Sequence, residues 1–361
     1  MNDEYYMKLA LALARKGRGY VSPNPMVGAV IVKNDRIIGR GYHQRFGGNH
    51  AEVNAIKNAG GDVEGATLYV TLEPCCHEGK TPPCVDRIIE NKIARVVAGT
   101  VDSNPLVSCQ GIEFLKNRGL EIKTGVMEKE CRRLNEVFFH YMETGMPFIT
   151  VKYAQTLDGR IATATGNSQW ISSEASLKFT HRLRAEHDAI LAGKGTVDKD
   201  NPELTVRLVR GRNPLRVIVD SGLSISPKAK VLQDQSSAPT LVATTKTKTD
   251  SRFQKIAASG VEVITVKADK NGNVDLKSLF TVLGKRKISS VLIEGGAQII
   301  TSVLKKNLAN RLVTVIAPKI IGRGIEAVGE LNIRNLDSAK KISFQKIIKR
   351  GEDIIIDSRL I

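Results

Sequence analysis

A histidine, a glutamate two residues later and two cysteines further on are the residues best suited to chemistry in this chain. They are His50, Glu52, Cys75 and Cys84. One imidazole and two thiolates supply three ligands for a tetrahedral Zn²⁺ and leave its fourth position open to water. Such a metal lowers the pKa of that water toward neutrality. Glu52 is placed to carry protons to and from it without binding the metal itself. The chemistry this set supports is hydrolytic attack on an amidine-like ring carbon with loss of ammonia.

The elements that must position these groups are legible around them. Ala51-Glu52-Val53-Asn54-Ala55-Ile56-Lys57 starts a helix that Gly60-Gly61 ends, so His50 and Glu52 sit at a helix N-terminus and face one cavity. Residues 66–72 are an apolar strand leading directly into Glu73-Pro74-Cys75. Pro82-Pro83 opens a second helix that begins with Cys84, where the helix dipole and free N–H groups favour a thiolate. A non-catalytic reading stays open on these residues: a closed structural zinc site with Cys76 or His77 as the fourth ligand. Glu52, which a structural site does not need, favours catalysis.

Composition bounds the class. The 361 residues suffice for two domains. Five cysteines, an odd number with three in one metal-like cluster, argue against a secreted disulfide framework. No apolar run approaches the ~20 residues that span a bilayer, and the acidic start Met1-Asn2-Asp3-Glu4 is unlike a signal peptide. A cytoplasmic protein without a membrane partner is therefore expected. The net charge of +17 is scattered, and aromatic residues make up only 5% of the chain. It is read as suited to phosphorylated small molecules and a dinucleotide rather than to nucleic acid.

The chain divides at Met146-Pro147, giving expected domains 1–146 and 147–361. The first is read as a three-layer α/β/α domain. It has a helix over 3–15, a hairpin of strands 28–32 and 36–41, a buried strand over 94–100, and one helix over 130–142. The second also alternates, with strands at 189–192, 215–219, 240–243, 261–266, 290–293, 312–316 and 354–356, and helices such as 173–184 and 276–285. A twisted sheet with helices on both faces follows. Ile293-Glu294-Gly295-Gly296 ends a strand in two glycines before a helix, an arrangement that suits a phosphate cradle as well as a plain corner. Gly193-Lys194-Gly195 is only a lone G-x-G. No G-x-G-x-x-G followed by an acid is present, so a Rossmann site is not expected.

Several of these segments together resemble a known family. H-x-E followed by P-C matches the zinc nucleobase deaminases, but Glu78 stands where their second cysteine would be. The next thiol after the adjacent pair is Cys84. That long spacing, with Ser22-Pro23-Asn24-Pro25-Met26-Val27-Gly28 upstream, resembles the deaminase half of the bifunctional riboflavin-biosynthesis deaminase–reductases. Residues 152–160, Ser168-Gln169-Trp170-Ile171, 195–202 and Glu294-Gly295-Gly296 resemble their reductase half. That half is similar in fold to dihydrofolate reductase and uses NADPH. The resemblance spans nearly the whole chain in the same domain order.

It implies a cytidine-deaminase-like domain followed by a dihydrofolate-reductase-like domain, acting in turn on one phosphorylated pyrimidine, with Zn²⁺ and NADPH as cofactors. His50, Cys75 and Cys84 carry over as zinc ligands and Glu52 as the proton shuttle. Asn24, His43 and Lys80 would contact the deaminase substrate. Lys152, Ser168, Arg184, Leu204, Arg207 and Glu294 would hold the reductase substrate, the two arginines as forked partners for phosphate. Ala154, Trp170, Thr196, Asp200, Ser221 and the turn from Gly296 would hold NADPH, and a homo-oligomer is expected. Three positions depart from the family pattern. Ser103 and Cys109 replace a usual proline and glycine in one loop, and Lys80 replaces a common arginine. The rival from another class is a tRNA- or nucleotide-directed deaminase carrying an unrelated second domain. The Cys75–Cys84 spacing and the lack of basic-aromatic interleaving count against it.

Overall fold

The computed structural model describes residues 2–77, 82–102 and 110–361. Lys80, Ser103 and Cys109 lie outside them. The chain forms two units, Met1–Gly145 and Met146–Ile361. Among the described residues no helix is long and apolar enough to cross a membrane.

In the first unit the elements run α1 (Asp3–Ala14), β1 (Gly28–Lys33), β2 (Arg36–Tyr42), α2 (Ala51–Ala59) and β3 (Thr67–Val70). They continue with α3 (Cys84–Glu90), β4 (Arg95–Ala98), α4 (Gln110–Asn117), β5 (Glu121–Thr124), α5 (Glu128–Leu134) and α6 (Glu136–Thr144). The sheet order is β2-β1-β3-β4-β5. β1 is antiparallel to both its neighbours, and β3, β4 and β5 are parallel. Because β1 and β3 are central, their side chains are buried on both faces. Ala29, Ile31, Leu68 and Val70 pack toward α2 and α3, while Val30, Val32 and Tyr69 pack toward α1. This is the three-layer arrangement expected. Gly28 and Gly41 allow close helix approach: a Cβ on either would lie within 2.4 Å of a helix backbone oxygen, so no larger residue fits there.

One expected element differs. The stretch read as a single helix over 130–142 is two helices broken at Asn135. Asn135 is buried, and its amide takes both hydrogen-bonding groups of one backbone residue: Oδ1 accepts from Met26 N (2.8 Å) and Nδ2 donates to Met26 O (2.9 Å). Satisfying that buried peptide outweighs helix continuity, and it anchors the Asn24 segment.

The second unit runs β6 (Phe148–Thr156), β7 (Arg160–Thr163), α7 (Glu174–Glu186), β8 (Ala189–Gly193), α8 (Lys194–Asp200), β9 (Leu215–Val219), α9 (Lys230–Gln233) and β10 (Thr240–Thr244). It continues with α10 (Ser251–Ala257), β11 (Glu262–Thr265), α11 (Leu276–Lys285), β12 (Ser290–Ile293), α12 (Ala297–Lys305), β13 (Arg311–Ala317), β14 (Gly324–Glu326), β15 (Ile342–Arg350) and β16 (Asp353–Leu360). Nine strands form one sheet in the order β11-β10-β9-β8-β12-β6-β13-β16-β15. The seven from β11 to β13 are parallel, and β16 and β15 close it antiparallel. The parallel strands are mostly apolar, and their buried residues pack into cores on both faces of the sheet. β15 and the small β7–β14 pair were not anticipated. β15 carries Lys346, Lys349 and Arg350 among its apolar residues and lies mostly exposed at the sheet edge, so it lacks the apolar signal of a core strand.

Candidate active sites

The first site is built on two helix starts and a strand end. His50 is the N-cap residue of α2 in extended conformation, and Glu52 sits buried in that helix's first turn. Cys75 follows the β3 end, and Cys84 opens α3 with its backbone N–H donating to Cys75 Sγ (3.4 Å). His50 Nδ1 lies 3.2 Å from Cys84 Sγ and 3.4 Å from Cys75 Sγ. The three ligand atoms all fall within 4.8 Å of one another. Cys84 hydrogen-bonds to Cys75, and with His50 beside it this pushes the Cys75 thiol down to about 4 against the effect of burial. Among the described residues no fourth ligand joins them. Neither alternative, Cys76 or His77, belongs to the cluster, and Cys76 turns its Sγ to Gln110 Oε1 (3.9 Å).

A buried carboxylate faces this cluster. Burial raises the pKa of Glu52, with His50 opposing, and its Oε2 is a buried oxygen with no hydrogen-bond partner among the described residues. Three donors in reach of one point and an orphaned carboxylate oxygen beside them fit a metal ion with an open position. The cluster opens into a cavity of about 320 Å³ that also holds Asn24 and His43 and is walled by Phe138, Tyr141 and Met142 of α6. His43 Nδ1 donates to Asn49 O (3.0 Å), so its Nε2 accepts from Asn24 Nδ2 (3.3 Å). Burial lowers the pKa of His43 and keeps the ring neutral. Sequence reasoning missed Glu73, whose two buried oxygens accept from Asp102 N and Ile112 N (both 3.1 Å) and tie Asp102 and the first turn of α4 together beside the cavity. A charge closing an otherwise apolar strand run was the signal.

The second site lies in the second unit, at the C-terminal ends of β6, β8 and β12, where parallel sheets bind ligands. Cavities of about 950 and 510 Å³ share Lys152, Ala154, Ser168, Thr196, Asp200 and Glu294 and so form one cleft. Leu204, Arg207 and Trp170 line the larger part and Gly296 the smaller. Ser221 lines neither, and its hydroxyl accepts from Val274 N (2.9 Å). The glycine turn has the form of a cradle. A Cβ on Gly295 would lie 3.1 Å from Ala192 Cα, and one on Gly296 would lie 3.3 Å from Thr196 Oγ1. Gly296 N donates to that hydroxyl (2.8 Å), and α12 begins there with no side-chain cap, leaving N–H groups for an anionic ligand. This open, phosphate-friendly corner fits a dinucleotide.

Arg184 is not placed as a free phosphate fork. Its Nε and Nη2 donate to Glu294 Oε1 and Oε2, both at 2.8 Å, and Nη1 donates to Thr205 O (3.0 Å). Burial works against ionisation of Glu294, but Arg184 prevails and holds its pKa below the usual range. Lys152 is enclosed next to this pair. Burial lowers its pKa, Arg184 adds to the effect, and Glu294 opposes it. Sequence reasoning also missed Leu177, Thr180 and His181. With Arg184 they form the cavity-facing side of α7, at the i, i+3, i+4, i+7 spacing of one helix face.

The architecture and sites define a two-domain protein: a cytidine-deaminase-like zinc unit followed by an α/β reductase unit. Residues 1–100 match the cytidine and deoxycytidylate deaminase zinc-binding region, and residues 147–356 match the RibD C-terminal domain. The riboflavin biosynthesis protein RibD of Aquifex aeolicus is 47% identical over 98% of this chain and 97% of its own length. Its counterpart in Escherichia coli is 39% identical over 99% of both chains. The crystal structure of a Thermotoga maritima diaminohydroxyphosphoribosylaminopyrimidine deaminase/5-amino-6-(5-phosphoribosylamino)uracil reductase superposes with a TM-score of 0.89. It is 40% identical and covers 99% of each chain. The chain belongs to the RibD family, the bifunctional, zinc- and NADPH-dependent deaminase–reductases of riboflavin biosynthesis.

Proposed function

We propose that the first unit hydrolyses the 2-amino group of 2,5-diamino-6-(5-phosphoribosylamino)pyrimidin-4-one and that the second reduces the ribosyl group of the product to ribityl. The observation that carries the reading is the orphaned Glu52 Oε2 beside three metal-capable atoms that open into one cavity. Zinc, when bound by His50, Cys75 and Cys84, supplies the Lewis acidity that makes water a nucleophile near neutral pH. Glu52 takes the proton from the attacking water and returns it to the departing amine. Asn24 and the neutral His43 orient the pyrimidine, with Lys80 as the third proposed contact. In the second unit NADPH supplies the hydride. Ala154, Trp170, Thr196, Asp200 and the Gly296 turn, which line the cleft, hold NADPH, with Ser221 outside it as a further proposed contact. Lys152, Ser168, Leu204 and Arg207 hold the phosphorylated substrate, with Arg184 and Glu294 setting the charge of the site. Incubation with the diaminopyrimidine phosphate tests both steps. Ammonia release is expected without NADPH, and NADPH oxidation is expected only after deamination.

Two further outcomes check the ligand sets. Cys75→Ser and Cys84→Ser are expected to lose bound zinc and deamination together, while Cys76→Ser keeps both. Full zinc occupancy in Cys84→Ser, by metal analysis, would remove it from the site. The sole tryptophan, Trp170, is 65% exposed in the cleft, so NADPH is expected to quench protein fluorescence. No quenching and no thermal shift at saturating NADPH would count against the cofactor assignment.

A homo-oligomer is part of the same reading. β15 forms one edge of the nine-stranded sheet with Phe344 and Ile347 exposed, and Ile354 of β16 is exposed beside it. These exposed apolar side chains, between the charged residues of that edge, are what a second copy would cover. A monomer in sedimentation at micromolar concentration would overturn this.

A further inference from the structure

The wall of the reductase cavity contains a histidine to which nothing above gives a task. His181 is 5% exposed on α7, one turn before Arg184. Its Nδ1 accepts hydrogen bonds from two consecutive backbone amides, Arg207 N at 2.9 Å and Leu208 N at 3.3 Å. An atom that accepts twice carries no proton, so the ring proton sits on Nε2, which makes no hydrogen bond among the described residues. The surroundings enforce this neutral form. Burial, then Arg184 on the same helix and Arg207 opposite, push the His181 pKa down to about 4; Glu294 opposes them and Lys152 of β6 adds to the depression.

The segment that His181 holds is the one that carries Arg207. Neighbouring residues have other anchors: Thr205 O is held by Arg184, and Val206 N donates to Asn213 Oδ1 (2.6 Å). Among the described residues, the amides of Arg207 and Leu208 have only His181. The Arg207 side chain is half exposed, steadied by Nη1 bonds to Glu203 Oε2 (2.7 Å) and Thr205 Oγ1 (2.8 Å). Where its guanidinium stands over the cavity therefore depends on where its backbone is pinned. We propose that His181 is a positioning residue of the reductase site, fixing Arg207 against the phosphorylated substrate through these two backbone bonds. This rests on the reading of Arg207 as a substrate ligand.

Three substitutions at His181 test the role in the full-length enzyme with zinc bound. Asparagine places Oδ1 near the Nδ1 position and keeps the acceptor. Glutamine reaches the Nε2 position instead, and leucine removes the acceptor while keeping bulk. His181→Leu and His181→Gln are expected to raise KM for the deaminated ribosylaminouracil phosphate roughly ten-fold or more, since two amides lose their partner. The KM for NADPH and the rate of ammonia release should stay near parental. His181→Asn should restore substrate KM to within about three-fold of parental, its carbonyl replacing the lost acceptor. An unchanged substrate KM in His181→Leu would overturn the proposal. So would His181→Asn as impaired as His181→Gln, or an equal rise in KM for NADPH. If His181→Leu does not fold, the asparagine–glutamine contrast alone decides. Arg207→Ala separates the two readings. A raised substrate KM there with none in His181→Leu removes only the role of His181. An unchanged KM in Arg207→Ala removes the reading of Arg207 and the proposal with it.

Discussion

Glu52→Gln is expected to stop ammonia release while zinc stays bound. Glutamine keeps the size of the side chain and its capacity for hydrogen bonding but removes the proton acceptor. Losing a positioned general base costs on the order of 10²–10⁴-fold in rate. None of the three metal-capable atoms is touched, because Glu52 lies outside that cluster. The same variant, given the already deaminated ribosylaminouracil phosphate and NADPH, should reduce it at close to the parental rate. The described residues lining the first cavity fall within 23–142 and those lining the second within 152–325. Loss of reduction in a folded, zinc-loaded Glu52→Gln would show that the two steps do not use independent sites.

Breaking the Arg184–Glu294 pair is expected to have the second large effect. Both side chains are almost enclosed, at 12% and 11% exposure. Glu294→Ala leaves a buried guanidinium without its carboxylate, a change that costs about 3–5 kcal/mol when a buried pair loses one partner. It also removes the negative charge beside Lys152 and His181, so the lysine pKa should fall further and the charge balance of the cleft shift. Reduction should be lost and the second unit should unfold at clearly lower urea concentration, with ammonia release intact. The double variant Arg184→Met, Glu294→Leu separates fold from function. Apolar replacement of both partners should recover much of the stability, while reduction stays absent. Reductase activity in that double variant would show that the pair serves only the fold.

Much of the first site was legible in the chain because its ligands are encoded by short-range structure. His50 and Glu52 are two residues apart at a helix start. Cys84 follows a Pro-Pro that fixes the next helix start. Local geometry therefore constrains three of the four groups before any packing occurs. The Gly295-Gly296 corner was legible for the same reason, since a strand, two glycines and a helix leave little freedom.

What the sequence did not disclose depends on partners far away in the chain. Asn135 breaks the expected single helix only because the Met26 backbone, 109 residues earlier, presents both its polar groups to it. Arg184 looks like a phosphate fork until Glu294, 110 residues on, is seen to occupy it. His181 has no signature at all, because its two partners are backbone amides, which every residue offers alike. Propensity and motif report what a residue does with its neighbours in sequence. Which buried charge meets which, and which amide finds which ring nitrogen, is decided by how the sheet and helices close around them. A polar group left without a partner in that interior is costly, so the pairing of Asn135, Arg184 and His181 follows from where the closed fold puts their partners.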